Sequence, residues 1–196
     1  MLQYLRPAVV MTALFTLVFG LGYPLIMTGA AGLLFPQQAG GSLIIDPAGH
    51  PIGSSLIAQG FVKPEYLHPR PSAAGNGYDP LNSGGSNLGP MDQKLIDRVK
   101  GDAAALRKDN PGQVIPADAV TTSGSGLDPD ISPANAQMQA PRIARTRGVA
   151  LSEIEAVIGA QTAQPVLGFI GQPRVNVLAV NRALDARYPM GRPRAG

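Results

Sequence analysis

The sequence predicts an α+β protein: a single N-terminal transmembrane helix followed by one extracytoplasmic α+β domain. Three observations carry this. From Pro7 to Ile45 the chain holds no Lys, Arg, Asp or Glu. Beyond Asp46, segments of helical periodicity alternate loosely with short β-prone runs. Gly and Pro, 24 and 19 of 196 residues, punctuate these segments with turns, and apolar runs recur between them as in a folded domain.

The elements follow in chain order. Residues 1–7 form a cytoplasmic N-terminus and 8–35 the transmembrane helix. A helix rising ~1.5 Å per residue crosses a ~30 Å hydrocarbon core in about 20 residues, so this run is long enough. Arg6 precedes it and no positive charge follows until Lys63, which places the N-terminus inside and the rest outside. A cleaved signal peptide is the competing reading, with small residues at Thr28, Gly29 and Ala30; the single Arg and the length of the run favour the anchor. Gly20, Gly22 and Pro24 fall mid-span. Proline there is expected to kink the helix where a partner helix accommodates it.

Residues 36–188 form the extracytoplasmic domain, and 189–196 a disordered tail. Runs 42–45 and 52–58, separated by the turn sequence Asp46-Pro47-Ala48-Gly49, predict a hairpin. Residues 61–87 are irregular. A helix is expected from Pro90 towards Asp109, with Leu95, Ile96, Val99, Ala103 and Leu106 on one face. Residues 114–122 read as a strand or extended segment. Ser132-Pro133 is an N-cap followed by proline at the first helical position; Pro141 kinks or splits that helix, and Gly148 ends it. Ser152 and Glu155 predict a capping box for the next helix, 166–170 a strand, and 176–187 a last helix.

Composition excludes several classes of chemistry. The absence of cysteine removes disulfides, thiol catalysis and thiolate metal sites. The net charge of +3 is scattered, and aromatic residues are only 5%, which excludes a nucleic-acid partner of the usual basic and aromatic kind. There is no phosphate-binding P-loop and no His-Glu-x-x-His zinc motif. His50 and His68 sit in turn-rich segments and read as loop histidines. Asp128 and Asp130 precede the Ser132 helix, where carboxylates complement its dipole; a cation site there is the minority reading, and no metal is expected. Ser83, Gly84, Gly85, Ser86 and Asn87 read as a compact glycine loop, with an anion cradle as the alternative. Gln137 and Gln139 are surface residues by default. Arg142, Arg145 and Arg147 form a solvated face or a docking surface.

Seven segments in order resemble one family. They are GSSLIAQGF (53–61), RPSA (70–73), YDP (78–80), SGGSNLGP (83–90), TSGSGLDPDISP (122–133), RIA (142–144) and LGFIGQPRVNVLAVNRALD (167–185). Together, behind one apolar helix, they resemble the C subunit of the bacterial Kdp potassium-transporting ATPase. Met91-Asp92, Asp130 and Met138 depart from that pattern. The resemblance implies a non-catalytic accessory subunit of a high-affinity, ATP-driven potassium importer in the inner membrane. It acts by stabilising assembly, or as a catalytic chaperone raising the ATP affinity of the P-type ATPase subunit. The implied partners are a channel-like potassium-binding A subunit, the ATPase B subunit, membrane lipid and, in some assemblies, a small single-helix subunit. No firmly bound cofactor is implied; ATP enters through the complex, and Gln139 is the residue the resemblance offers for it. Gly20, Gly22 and Pro24, with the 83–87 loop, are the expected subunit contacts. A membrane-anchored or secreted binding protein or hydrolase with no pump partner is the alternative.

Overall fold

The computed structural model describes residues 2–190; the proposed tail beyond Met190 lies outside them. The chain divides into two compact units, 1–52 and 53–196, with the boundary inside strand β2.

The first unit is dominated by one continuous helical run, Leu5–Leu34, whose side chains are exposed. It is built from α1 (Leu5–Phe15), a π-helical stretch (Thr16–Gly22) and α2 (Tyr23–Leu34). The π-stretch explains how Pro24 is tolerated. Proline lacks an N–H and its ring collides with the carbonyl four residues earlier in α geometry. Here the Tyr23 N–H reaches back five residues to the Val18 carbonyl, widening the turn ahead of the proline. The run ends because Phe35 precedes Pro36. The proline ring drives Phe35 out of helical geometry, to φ −135° and ψ 59°. A single turn, α3 (Pro36–Ala39), follows, and then β1 (Leu43–Ile45). Strand β1 pairs with β2 (Pro51–Ser54) as the expected hairpin. Asp46 closes its turn by accepting from the Ala48 and His50 N–H groups at 2.9 and 2.8 Å.

In the second unit, α4 (Gln93–Asp109) is capped by Asp92, whose carboxylate accepts from the Lys94 N–H at 2.8 Å. Its predicted apolar face is half-buried. The core lies further along the chain, where α5 (Pro133–Arg147), α6 (Leu151–Ala160) and α7 (Val177–Arg187) pack around Ile143, Ile154, Ile158, Val180 and Leu184. Each such aliphatic side chain contributes ~1.5–3 kcal/mol when fully buried. A small antiparallel sheet, β3 (Asp130–Ile131), β5 (Arg174–Asn176) and β4 (Thr162–Ala163), joins this core through Ile131 and Val175.

The α+β class is as the sequence predicts, but several local expectations are corrected. Residues 114–122 form no strand: the stretch is irregular up to Pro116, which is extended (φ −68°, ψ 154°), and then makes a 3-10 turn, Ala117–Ala119. Pro141 does not split α5, which runs unbroken to Gly148 in left-handed geometry (φ 61°). The helix after it starts at Leu151, so Ser152 lies inside it. Its cap is the Glu153 carboxylate, which accepts from the Ala150 N–H at 3.1 Å. Residues 166–170 are not a strand but a tight hairpin tip, and the strand lies at Arg174–Asn176.

Candidate functional site

The polar centre of the second unit is an irregular strap, residues 64–68, which opens on a turn closed by the Tyr66 N–H donating to the Lys63 carbonyl at 3.1 Å and packs on α5 and α7. Prolines at 64 and 69 interrupt any regular ladder, yet buried peptide groups must still find partners. Side chains supply them. Arg142 donates to the carbonyls of Pro64 and, at 3.1 Å, Tyr66. Arg147 Nε donates to the Glu65 carbonyl at 2.8 Å. Asn181 takes both backbone groups of Leu67, accepting from its N–H at 2.7 Å and donating to its carbonyl at 2.9 Å. Gln139 does the same for His68, at 2.8 and 3.1 Å. Every carbonyl from residue 64 to 68 therefore accepts from a side chain. The two amides act as replacement strand partners.

Gln139 is 3% exposed and its amide is fully engaged. Besides the two His68 bonds, Oε1 accepts from Arg142 at 2.7 Å and Nε2 donates to Asn135 Oδ1 at 2.9 Å. Asn135 in turn donates to Asp118 at 3.1 Å, so a continuous polar line runs Asp118–Asn135–Gln139–Arg142. Burial brings the Arg142 guanidinium down to about 10, with Asp109 opposing and Arg145 assisting. Burial also lowers His68 below its ordinary 6.5, and the neighbouring Arg142 charge adds to that. Arg147 meets Asp185 at 2.8 Å and lies 5.2 Å from the Tyr66 ring centroid, with the Tyr66 hydroxyl also on Asp185 at 2.9 Å.

A second set of bonds laces the glycine-rich loops. Arg70 donates to Asp128 at 3.1 Å and to the Thr121 and Thr122 carbonyls at 3.3 Å each. Ser72 Oγ donates to the Gly126 carbonyl at 2.6 Å and accepts from the Tyr78 N–H at 2.8 Å. The Tyr78 hydroxyl donates to the Arg70 carbonyl at 2.7 Å, and burial pushes its phenol up to about 12. Within the 83–87 loop, Ser83 Oγ and the Gly84 N–H both donate to the Ser125 carbonyl, at 3.0 and 2.9 Å. Gly84, Gly85 and Ser86 are half-buried, and Asn87 is exposed in left-handed geometry (φ 51°).

Several predicted site residues sit elsewhere than the sequence suggested. Gln139 is interior, whereas Gln137 is exposed. Of the arginine trio, Arg142 and Arg147 are buried structural clamps and only Arg145 faces solvent. The carboxylate at the start of α5 is not Asp128 or Asp130 but Asp118, which accepts from the Ser132 N–H and hydroxyl at 2.8 Å each. Asp128 pairs with Arg70, and Asp130 with Arg174 at 3.0 Å. These residues line an open cleft of about 510 Å³ in which each charged group already has a partner. His50 is exposed beside Asp46, whereas His68 is built into the strap. Gly20, Gly22 and Pro24 lie on the apolar helix. A methyl at Gly20 or Gly22 would meet its nearest atom at 3.7 or 3.5 Å, an ordinary contact. The roles of Asp118, Asn135 and Asn181 were missed. For Asn135 the local sign is a polar stripe on α5, Asn135, Gln139 and Arg142, at helical spacing of four and three; for Asn181 it is a place on the same face of the last helix as Val177, Leu178 and Leu184.

The architecture defines a class: a compact α+β domain carried behind one helix long and apolar enough to cross a membrane, its long loops fastened by buried side chains. The family described as "K+-transporting ATPase, c chain" matches residues 5–186, and this chain belongs to it. Relatives named "Potassium-transporting ATPase KdpC subunit" are similar over almost their whole length. One from Caulobacter sp. (strain K31) is 65% identical over 96% of each chain. One from Beijerinckia indica is 58% identical over 98% of each, and one from Rhodospirillum rubrum 53% identical over 97% of this chain and 99% of its own.

Proposed function

We propose that this chain is a non-catalytic accessory subunit of a high-affinity, ATP-driven potassium importer, and that its soluble domain stabilises the assembled pump from outside the cytoplasm. The observation that carries this reading is the Gln139 amide. Both lone-pair positions of Oε1 and both N–H groups of Nε2 are already bonded to strap and helix. A nucleotide ligand at this position would have to break that set. The charge asymmetry around the apolar helix supports an external domain. On this topology any influence on cytoplasmic ATP passes through coupled states of the membrane subunits. The partners in this reading are the channel-like A subunit, the P-type ATPase B subunit and, where present, a small single-helix subunit. Gly20, Gly22 and Pro24 offer a low-profile contact for a partner helix, and the 83–87 loop, with Ser83 and Asn87 exposed, offers one for an external surface.

The test is Gln139→Ala in the intact pump, with the KM for ATP and thermal unfolding measured on the same preparation. Expected are a lower unfolding temperature and poorer recovery of complex, with an unchanged KM in the complexes that form. A raised KM at unchanged unfolding temperature would overturn the clamp and establish direct nucleotide chaperoning.

A further inference from the structure

Between β4 and β5 the chain reverses through a tip, residues 166–170, that carries four large apolar side chains outward. Val166, Leu167, Phe169 and Ile170 are 62, 78, 76 and 53% exposed. The tip is a built structure. The Val166 N–H donates to the Ile170 carbonyl at 3.0 Å and the Ile170 N–H returns to Val166 at 2.9 Å. Leu167, Gly168 and Gly171 hold positive φ angles of 55, 81 and 94°. Leu167, with its Cβ, accepts a strained left-handed backbone that directs an apolar side chain away from the core. Single exposed apolar residues are ordinary on any surface, but four within five positions are not.

Size and charge narrow the occupant. The exposed portions sum to about 400–500 Å² of apolar surface, the size of the largest, often functional, patch on a monomer. Two identical copies held by this patch alone would fall short of the ~800 Å² per partner that a stable interface needs. No charged residue lies between Glu155 and Arg174, and the flanks are Gln161, Gln164 and Gln172. A bilayer-dipping tip normally brings Trp or Tyr for the interface and Lys or Arg for the headgroups; this one has neither. An uncharged, rigid, aliphatic and aromatic knob with a polar amide collar suits a preformed protein pocket.

We propose that the 166–170 tip is an apolar plug seated in a hydrophobic socket on another subunit of the same pump. The inference rests on the pump-subunit reading above. A chain already tethered by its helix gains the socket at high local concentration, so a small plug suffices to fix orientation.

The experiment uses the full chain in the assembled pump. Benzoylphenylalanine incorporated at position 169 is irradiated in native membranes and the adduct identified by peptide mass spectrometry. The expected result is an adduct to a peptide of another pump subunit. Adducts to lipid or to a second copy, or no adduct, overturn the plug. In parallel, Leu167→Asp with Phe169→Asp should lower co-purified pump at least tenfold while leaving the chain's own unfolding temperature unchanged; unaltered recovery overturns the proposal. If the wild-type chain co-purifies but position 169 labels lipid, only the plug falls. If the wild-type chain itself fails to co-purify, the subunit reading falls with it.

Discussion

At the scale of single residues, the second unit is organised by amides and guanidinium groups that stand in for missing strands. Gln139 and Asn181 each grip both backbone groups of one strap residue, and Arg142 and Arg147 take the three carbonyls before them. Loss of such a partner strands buried donors and acceptors, which costs ~1–3 kcal/mol for each group left unpaired. His68 adds a pH dependence. Its folded pKa lies below its ordinary 6.5, so the folded state binds fewer protons than the unfolded state in that range. Stability is therefore full above 6.5 and declines as pH falls from 6.5 towards the lower folded value. Unfolding followed from pH 8 to pH 5 should show this decline, and His68→Asn should flatten it; an identical slope in the variant would remove His68 as the cause. The strap was illegible in the sequence for a clear reason. A glutamine on a helix is normally solvated, and what buries Gln139 is a segment 71 residues away. Only the family resemblance singled it out, and for a different role.

At the scale of elements, sequence reasoning succeeded where the determinants are local. Ser132-Pro133 starts α5, Gly148 ends it, and the Asn176 side chain caps α7 by accepting from the Ala179 N–H at 3.0 Å. It failed where tertiary contacts decide. The apolar run at 166–170 has strand composition, yet positive φ at two central residues closes it into a turn. Ser152 with Glu155 has the spacing of a capping box, but α6 begins two residues earlier than that box implies and uses Glu153. The glycine loops give a sharp test. Gly126 has φ +67°, and a Cβ there would lie 2.6 Å from the Gly84 carbonyl oxygen and 2.7 Å from the Ala74 nitrogen. Both obstacles are backbone. Gly126→Ala should thus push the 83–87 loop off the 123–126 turn and destabilise the domain by ~2–4 kcal/mol, through strain and overpacking together. Thermal or urea unfolding of the variant checks this; a loss within ~0.5 kcal/mol would mean the loops shift without cost.

At the scale of the whole molecule, the long apolar helix was legible from composition alone, and the α+β class from helical periodicity alternating with short β-prone runs. A 30-residue run containing an 18-residue window with a mean hydropathy of 2.0 needs no tertiary information to be recognised. The sheet was less so: its strands are two or three residues long, too short for an alternating pattern to emerge. The proposed orientation has a direct check. Protease added to intact spheroplasts should remove the chain beyond Asp46 while leaving a membrane-protected N-terminal fragment. Full protection of the domain would reverse the orientation and bring it to the nucleotide side.

The long-range lacing also sets a timetable for the newborn chain. Leu67 finds its partner Asn181 only 114 residues later, and Glu65 waits 82 residues for Arg147. At ~5–20 residues synthesised per second, the gap to Asn181 corresponds to about 6–23 s during which the strap's peptide groups face water. If Leu5–Leu34 inserts as it is synthesised, the domain matures while already tethered. A ribosome that stalls or stops short of α7 leaves the apolar helix trailing an unlaced polypeptide, an open substrate for quality-control proteases. The C-terminal helix thereby serves as a completion mark: only a chain translated through Asn181 can fasten its own beginning.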